Sequence, residues 1–367
     1  MKNVDKTHFH CYDNDNGSAN APMIPHSERV TIKHVAKEAG VSTQTVSRVI
    51  NERPDVAVET RKLVLEVISR MGYHPSELAR SLIHRRSLTI GVVTAGLKYT
   101  GPNRTLNGIT TEAENLGYAI LLKELSHFSV EDVQPILKFL LARQVDGILW
   151  AGPEVGNNRD WLADGLNDIP VPIIFLTMEP RPGVPILSID NYAGGVLATQ
   201  HLLDQGRQHI AHLSGPLDWW EARQRKKAWQ ETLEKAGHKV EERYSVEGNW
   251  SSASGHVAFQ QLKNNYPEMD AIFVANDQMA LSVLRLACEN RIRVPDDLAV
   301  VGFDDIAESP YFWPALTTIK QNQHELGCRA VSELVGSIKQ TRNNQVMELQ
   351  NILLSPELIV RQSSVKA

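Results

Sequence analysis

From Leu88 onward, short apolar runs alternate with amphipathic helical stretches, and this alternation restricts the possible folds more than any other feature of the sequence. Runs such as LTIGVV, AIFVAND and LAVVGFDD have the length and the branched residues of buried strands, and the segments between them repeat apolar residues at helical spacing. This order is typical of parallel sheets wrapped by helices. The runs are too many for one comfortable sheet, so the pattern predicts two α/β lobes with a cleft between them.

Polar residues come directly after two of the predicted strands. Asn276 and Asp277 follow AIFVA, and Asp304 and Asp305 follow LAVVGF. In open α/β sheets, ligands bind at the carboxyl ends of the strands, which makes these positions candidates for a ligand cleft. Two alternatives stay open, because Asp304 can also cap a helix or a turn and Asp305 is more often structural than ligand-binding.

A different pattern precedes the alternating region. Residues 30–49 (VTIKHVAKEAGVSTQTVSRV) predict two short helices joined by a tight turn. Thr31 and Ser42 are good N-caps for these helices, and Gly40 is suited to ending the first of them. A third helix is predicted from about residue 58 to residue 71. The spacing of the first two helices is that of a helix-turn-helix, and a purely structural helical hairpin is the alternative.

The amino end of the second helix carries polar side chains that are expected to be exposed, namely Thr43, Gln44, Thr45 and Arg48. Its apolar residues, by contrast, fall on the opposite face and are expected to be buried, namely Val46, Val49 and Ile50. Such a helix can enter the major groove of DNA, where Gln suits adenine and Arg suits guanine. The backbone amides at the caps Thr31 and Ser42 can also hold phosphates.

The charge of the chain is divided unevenly between its two parts. Residues 27–90 have a balance of +4, whereas the remainder has −9, for a total of −5. A basic head on an acidic body suits a polyanionic partner at one end only, although chance scatter is the alternative explanation.

The composition changes along the chain predict five segments. A disordered tail (1–26) precedes the helix-turn-helix domain (27–75), and a short basic hinge (76–87) connects that domain to a two-lobed sensor (88–361) followed by a second tail (362–367). The hinge is weakly helical and is expected to become ordered only when something packs against it.

The chain has three cysteines, Cys11, Cys288 and Cys328, which are too few and too scattered for a disulfide scaffold. A reducing, cytoplasmic compartment therefore fits best. His8 and His10 lie near Cys11, but no fourth ligand stands at zinc-site spacing, so we expect neither a metal nor a cofactor. No apolar run approaches the roughly 20 residues that span a bilayer, and the amino end lacks the apolar region of a secretory signal.

The head resembles that of the lactose-repressor (LacI) family of bacterial regulators. The similarity is carried by VTIKHVAKEAGVSTQTVSRVIN and GYHPSELARSL, and it extends through the sensor region to about Arg361. In that family a leucine on the hinge helix wedges into the minor groove at the operator centre, and Leu82 stands at the matching place. The resemblance implies DNA contacts by Thr31, Ser42, Thr43, Gln44, Thr45, Arg48, Asn51, Ala79, Arg80 and Leu82.

Family membership implies that the sensor has the periplasmic sugar-binding-protein fold. The positions that match effector contacts are Arg225, Trp250, Asn276, Asp304 and Gln321, and Tyr99 and Pro102 lie on the loop after the first strand. Carboxylate and amide groups can pair with adjacent hydroxyls, and a tryptophan offers a flat apolar face to a sugar ring or a planar base. Packing inside the protein is the alternative for Trp250, and Trp219 and Trp220 are expected near the rim.

These features predict a sequence-specific DNA-binding transcriptional regulator, a repressor released from its operator by a mono- or disaccharide, with a β-glycoside as one candidate. We expect a homodimer on a pseudo-palindromic operator, because the chain stops at SSVKA without an added leucine-heptad tail. A corepressor-type regulator and a sugar-binding protein without DNA contacts are the alternatives. An enzyme is not expected, since G-x-G-x-x-G, G-x-x-x-x-G-K-[ST], G-x-S-x-G and H-E-x-x-H are missing and no catalytic residue stands out.

Overall fold

The computed structural model describes residues 30–73, 86–126, 132–155, 162, 169–343, 345 and 351–365. The chain divides into two compact units, Met1–Ile83 and His84–Ala367. The predicted amino-terminal tail and residues 76–85 of the predicted hinge, with Ala79, Arg80 and Leu82, lie outside the described residues. In the described part of the chain, no helix combines the length and the apolar character that crossing a membrane requires.

The described residues of the first unit form the three predicted helices, α1 (Ile32–Glu38), α2 (Thr43–Ile50) and α3 (Val58–Met71). Gly40 and Gly72 follow α1 and α3 with φ of +65° and +58°, a left-handed conformation that glycine adopts without steric cost. The helices share a small core made of Val35, Ala36, Ala39, Val46, Val49, Val64 and Val67. This packing buries one face of α2 and leaves its opposite face exposed.

The N-terminal lobe of the second unit is built on a parallel sheet, six-stranded over its described residues. Its strands are β1 (Thr89–Ala95), β2 (Ala119–Leu125), β3 (Gly147–Ala151), β4 (Ile173–Leu176), β5 (Ile186–Ile189) and β11 (Ile352–Leu354), in the spatial order β11-β5-β4-β3-β1-β2. One face packs against α4 (Thr100–Asn115) and α10 (Gln323–Arg342), and the other packs against α5 (Gln134–Leu141).

The C-terminal lobe repeats this arrangement, again with six strands in its described part. They are β6 (Ile210–Ser214), β7 (Ser245–Glu247), β8 (Ala271–Val274), β9 (Ala299–Asp304), β10 (Thr317–Lys320) and β12 (Glu357–Ile359), in the order β12-β10-β9-β8-β6-β7. The helices α6 (Asn191–Asp204) and α7 (Trp220–Lys235) cover one face, and α8 (Ser252–Asn265) and α9 (Asp277–Glu289) cover the other. Two α/β lobes and an amino-terminal helical unit confirm the predicted fold class.

The lobes are not formed by consecutive halves of the sequence. Among the described segments, the chain passes between the lobes after β5, after β10 and between β11 and β12. The helix α10 follows β10 of the C-terminal lobe but packs in the core of the N-terminal lobe. The two lobes are therefore joined by several crossing segments, an arrangement that permits a hinge motion.

The structure corrects two features of the sequence analysis. The strand β12 pairs antiparallel with β10, although only parallel pairing was expected. Residues from 362 were predicted to form a tail, but Ser363 and Ser364 are buried in the C-terminal lobe. Ser363 Oγ donates to the Val300 carbonyl oxygen at 2.6 Å, and Ser364 Oγ lies 2.7 Å from His201 Nε2. This segment belongs to the lobe because its polar groups are satisfied there.

Two glycines allow α4 and α10 to cross closely. A Cβ atom on Gly108 would lie 2.0 Å from the His324 carbonyl oxygen, and one on Gly327 would lie 2.2 Å from the Thr105 carbonyl oxygen. Real side chains do not tolerate such distances, so the backbones would have to separate. The crossing holds α10 on the N-terminal lobe and explains why a glycine occupies the middle of a helix.

We predict that Gly108→Ala lowers the free energy of unfolding of the sensor unit by about 1–3 kcal/mol, because the new methyl group overpacks the crossing. Gly336→Ala is the matched control on α10, since its Cβ would meet no described atom within 4 Å. This control should be neutral or stabilising by up to about 1 kcal/mol through helix propensity. Chemical denaturation followed by circular dichroism measures both, and equal stability of the two variants would contradict the role of the crossing.

Candidate functional site

The amino end of α2 presents the polar side chains that the sequence analysis selected. Ser42 caps the helix, as its Oγ accepts a hydrogen bond from the Thr45 backbone N–H at 3.0 Å. Thr43, Gln44 and Arg48 are exposed, and Thr45 is partly exposed. The cap and the buried valines on the opposite face fix the helix, so these side chains occupy one defined surface.

Arg48 is paired with Asp55 in the first unit. Their side chains are 3.5 Å apart and about half exposed, at 49% and 55%. An ion pair this exposed contributes roughly 0–1 kcal/mol, so Arg48 can exchange Asp55 for a stronger partner at little cost. The ion pair places the guanidinium on the polar face of α2, but it is too weak to prevent the side chain from moving.

Two other predicted DNA contacts already have local hydrogen bonds. Asn51 Nδ2 donates to the Ser47 carbonyl oxygen at 2.8 Å and thereby ends α2. Thr31 is exposed, and its backbone N–H lies 3.4 Å from His34 Nδ1. Both residues have a structural role at a helix end, which leaves their remaining polar atoms for other contacts.

The predicted effector residues come together in one cleft of the second unit. The cleft holds about 1020 Å³ of space not occupied by atoms, part of it open to solvent. Both lobes contribute to its walls, and the lining includes every effector candidate, namely Tyr99, Pro102, Arg225, Trp250, Asn276, Asp304 and Gln321. A concave site with an aromatic face and a few polar groups is typical of a site for a small molecule such as a sugar or a nucleobase.

An aromatic surface forms part of the cleft in the C-terminal lobe. A Cβ atom on Gly215 would lie 2.1 Å from the Trp250 ring, so only a glycine lets the indole lie so close to the chain after β6. Trp219 meets Trp250 edge to face, with the ring centroids 5.9 Å apart. Trp220, in contrast, is buried and does not line the cleft, which corrects its expected position near the rim.

Arg225 is a buried cation with fixed orientation. Its Nε donates to Asn191 Oδ1 at 2.9 Å, and its Nη1 donates to the Ala275 carbonyl oxygen at 2.5 Å. The guanidinium also lies 3.7 Å from the centroid of the Phe303 ring. Burial lowers the pKa of Arg225, and an arginine remains protonated at neutral pH nevertheless. It therefore supplies a positive charge at the cleft surface.

Asp304 lies at the carboxyl end of β9. Its Oδ1 accepts from Gln321 Nε2 at 2.5 Å, and among the described residues no backbone amide donates to this carboxyl group. Asp304 is therefore not the helix or turn cap that was kept as an alternative. Burial raises the pKa of Asp304 to about 6, although Arg225, the Gln321 hydrogen bond and Arg104 act in the opposite direction.

Two nearby polar residues, Asn276 and Asp305, have structural partners. Asn276 caps α9 by accepting from the Met279 backbone N–H at 2.9 Å, and its Nδ2 donates to the Trp250 carbonyl oxygen at 2.9 Å. Asp305 accepts from Arg361 Nη2 at 2.7 Å, in agreement with its expected structural role. Asn276 consequently positions Trp250 as well as lining the cleft.

The cleft is also lined by residues that the sequence did not indicate, among them Glu221 and Gln323. Three buried atoms of residues that line the cleft have no hydrogen-bond partner among the described residues, namely Glu221 Oε2, Gln323 Oε1 and Trp250 Nε1. Burial raises the pKa of Glu221 to about 7. Glu221 lies four residues before Arg225 and on the same face of α7, so helical spacing was a signal that could have identified it.

The chemistry of the cleft is that of a binding site. It combines an aromatic face, one buried cation, two buried carboxyl groups and unpartnered acceptor and donor atoms. Over the described residues, no group of three or more His, Cys, Asp or Glu side chains is placed to hold a metal ion.

Family comparisons agree with both units. The family of bacterial regulatory proteins called lacI matches residues 31–76, and the periplasmic binding protein-like domain matches residues 199–364. The HTH-type transcriptional repressor PurR of Pasteurella multocida is 33% identical over 335 residues, covering 91% of this chain and 98% of that protein. The lactose operon repressor of Escherichia coli is 33% identical over 336 residues, covering 92% of this chain and 91% of that protein.

Solved structures extend the similarity to the fold. The crystal structure of the lac repressor dimer bound to operator and the anti-inducer ONPF matches with a TM-score of 0.82 at 33% identity, covering 92% of this chain and 100% of that one. A complex of the transcriptional regulator CelR with cellobiose matches with a TM-score of 0.67 at 30% identity, covering 91% of this chain and 100% of that one. These matches span the head and the sensor together, and the chain belongs to the lacI family of bacterial regulatory proteins.

Proposed function

We propose that this DNA-binding transcriptional repressor acts as a homodimer on a pseudo-palindromic operator and is released when a mono- or disaccharide binds in its cleft. DNA binding and repression follow from its membership of the family. The observation that supports a sugar effector most directly is that three of the residues lining the cleft each carry a buried polar atom without a partner among the described residues.

A polyhydroxylated ring matches this set of atoms. Glu221 Oε2 and Gln323 Oε1 need a donor, whereas Trp250 Nε1 needs an acceptor. A hydroxyl group can donate and accept, so neighbouring hydroxyls of one sugar can satisfy all three atoms. Each buried atom left unpaired costs about 1–3 kcal/mol, which such a ligand would recover. The cellobiose held by CelR supports a β-linked disaccharide as the first candidate.

A purine base is the second candidate. The flat indole of Trp250 suits a planar base as well as a sugar ring, and several similar repressors are named PurR. A purine has fewer groups that both donate and accept than a sugar has. The three unpartnered atoms therefore favour the sugar, and direct binding of the two ligand classes separates them.

The proposed operator readers are Gln44 and Arg48 on the exposed face of α2. Both side chains can form paired hydrogen bonds with a purine edge in the major groove. The predicted minor-groove wedge, Leu82, lies outside the described residues and remains a prediction. The caps at Thr31 and Ser42 suit contacts to the DNA backbone, which position a head without reading sequence.

The proposed dimer surface lies next to α9. Tyr311 and Trp313 are both 87% exposed, whereas Phe312 between them packs on the core beneath α9. Leu281 on α9 is also exposed. Large apolar side chains that stand out from an ordered loop favour a protein partner. A second copy is the occupant we propose, since the related lac repressor was solved as a dimer.

Arg48→Ala is expected to relax the base preference at one position of the operator by about 1–3 kcal/mol, because a bidentate contact to a base is lost. Lys62→Ala, which removes an exposed charge on α3, should leave every base preference unchanged. Competition binding with single-base operator variants measures both. An Arg48→Ala profile identical to that of the unaltered protein would show that Arg48 does not read a base.

Substitution of the apolar loop should weaken the dimer. Trp313→Ser and Tyr311→Ser are each expected to raise the dissociation constant of the dimer by about 30-fold, as loss of about 2 kcal/mol at an aromatic anchor would do. Leu197→Ser is the control, since it removes an exposed leucine from α6 on the opposite face of the sheet. Sedimentation velocity over a concentration series gives the dissociation constants. Unchanged dimers of both loop variants would contradict this surface.

Effector binding is expected to weaken as the pH falls through about 6. Asp304 has a pKa of about 6, and a protonated carboxyl is a poorer acceptor for a sugar hydroxyl than a carboxylate. Protonation of Glu221, which has a pKa of about 7, should cause a further loss of effector affinity that begins at higher pH. Isothermal titration with a panel of mono- and disaccharides that includes cellobiose, between pH 5 and 8, measures this dependence.

Asp304→Asn should weaken binding at pH 8 by about 1.5–3 kcal/mol and remove the step near pH 6, since hydrogen bonds to charged groups have that strength. Glu289→Gln, on the exposed surface of α9, is the control and should change neither. Binding of purine bases without any sugar would overturn the proposed effector. Tighter operator binding with the sugar present would identify a corepressor instead.

A further inference from the structure

Arg104 connects the two lobes of the sensor. It lies on α4 in the N-terminal lobe, and its guanidinium reaches the carboxyl end of β9 in the C-terminal lobe. Nη1 donates to the carbonyl oxygens of Asp304 at 3.1 Å and Asp305 at 3.0 Å, and Nη2 donates to that of Asp305 at 3.1 Å. Hydrogen bonds from a charged donor are stronger than neutral ones, so this contact is a substantial link between the lobes.

The backbone that Arg104 holds has an uncommon conformation. Asp304 and Asp305 have φ of +114° and +47°, and neither is a glycine. Positive φ at a residue with a side chain costs free energy and persists when surrounding groups hold it in place. Arg361 contacts the Asp305 carboxylate from within the C-terminal lobe. Arg104 holds the same turn from the N-terminal lobe.

Arg104 acts on the cleft from outside it. The described residues that line the cleft include Asp304 but not Arg104. Asp304 Oδ1 accepts from Gln321, and among the described residues nothing donates to Oδ2, which leaves that oxygen for a ligand. A second bond between the lobes lies nearby, because Gln278 Nε2 donates to Thr100 Oγ1 at 2.7 Å. The backbone of Asp304 thus belongs to the interlobe contact and its side chain to the ligand site.

We propose that Arg104 is a positioning residue, which orients Asp304 and couples ligand binding at that carboxylate to closure of the two lobes. This proposal rests on the proposed function, since it assigns a regulatory residue to the same effector site. A ligand that needs the Asp304 orientation found here binds the closed arrangement better, and so it shifts the population towards closure. Without Arg104, the same ligand must also supply the free energy of closing the lobes.

The charges around Asp304 provide a second readout. Arg225 faces the carboxyl group from α7, Asp277 from the start of α9 and Arg104 from α4, while Gln321 donates a hydrogen bond from the crossing segment. Arg104 lowers the pKa of Asp304. Its removal should therefore raise the pH below which ligand binding weakens, which we call the acid limit. A residue that only stabilised the fold would not move this limit.

The first experiment is isothermal titration of full-length protein with whichever sugar of the panel binds, between pH 5 and 8. Arg104→Ala should raise the dissociation constant about tenfold, within the usual range of coupling between sites, and shift the acid limit upward. Arg104→Lys, which keeps the charge and part of the donor set, should restore most of the affinity and the original limit. Arg329→Ala, an exposed arginine paired with Glu333 within α10, is the control and should match the unaltered protein.

The second experiment needs no ligand. Small-angle X-ray scattering of the full-length protein should give a larger radius of gyration for Arg104→Ala than for the unaltered protein and Arg329→Ala, because the interlobe contact is lost. If Arg104→Ala does not fold, Arg104→Gln, which loses the charge but keeps one amide donor, replaces it in both experiments. Unchanged scattering and unchanged affinity would overturn the proposal. If no sugar binds the unaltered protein, the proposed effector fails, and the scattering still decides the role of Arg104.

Discussion

The buried carboxyl group of Asp277 is the interaction on which the ligand cleft depends. It accepts from Thr318 Oγ1 at 2.6 Å, from Ser309 Oγ at 2.7 Å and from the Ile306 backbone N–H at 3.0 Å. These bonds join the start of α9 to β10 and to the segment after β9, so three chain segments meet at one carboxyl group. Burial raises the pKa of Asp277 to about 7, and the three donors oppose this shift. Loss of the donors would leave the buried Asp277 carboxyl group unpaired, so the three chain segments depend on one another for their stability.

The chain segment above Asp277 carries the groups that a ligand can contact. A Cβ atom at position 302 would lie 2.2 Å from Asp277 Oδ1, so only glycine fits there. Asp304 follows two residues later and has a positive φ. The carboxyl end of β9 is therefore shaped by the buried network below it and by Arg104 from the other lobe. This arrangement explains how one aspartate can belong both to a rigid strand and to the surface between the two lobes.

Local features of the sequence predicted the head and most strands well, because caps and periodicity act over a few residues. Ser42 and Gly40 mark the turn between α1 and α2, and no distant contact is needed to interpret them. The strands β7, β11 and β12 were missed because three residues are too few to show a period. The helix α10 was missed although it has 20 residues, and no local pattern reveals that it returns to the first lobe. That return places Gln323 at the cleft, so the site could be predicted only in part.

Stability alone does not explain the residues that line the cleft. Glu221 Oε2, Gln323 Oε1 and Trp250 Nε1 are buried without a partner among the described residues, and each costs about 1–3 kcal/mol in that state. Apolar side chains of similar volume would remove this cost. Glu221 and Trp250 belong to the C-terminal lobe, whereas Gln323 begins the helix that packs in the N-terminal lobe. A ligand that satisfies all three must contact both lobes at once, and so its binding free energy depends directly on the distance between them.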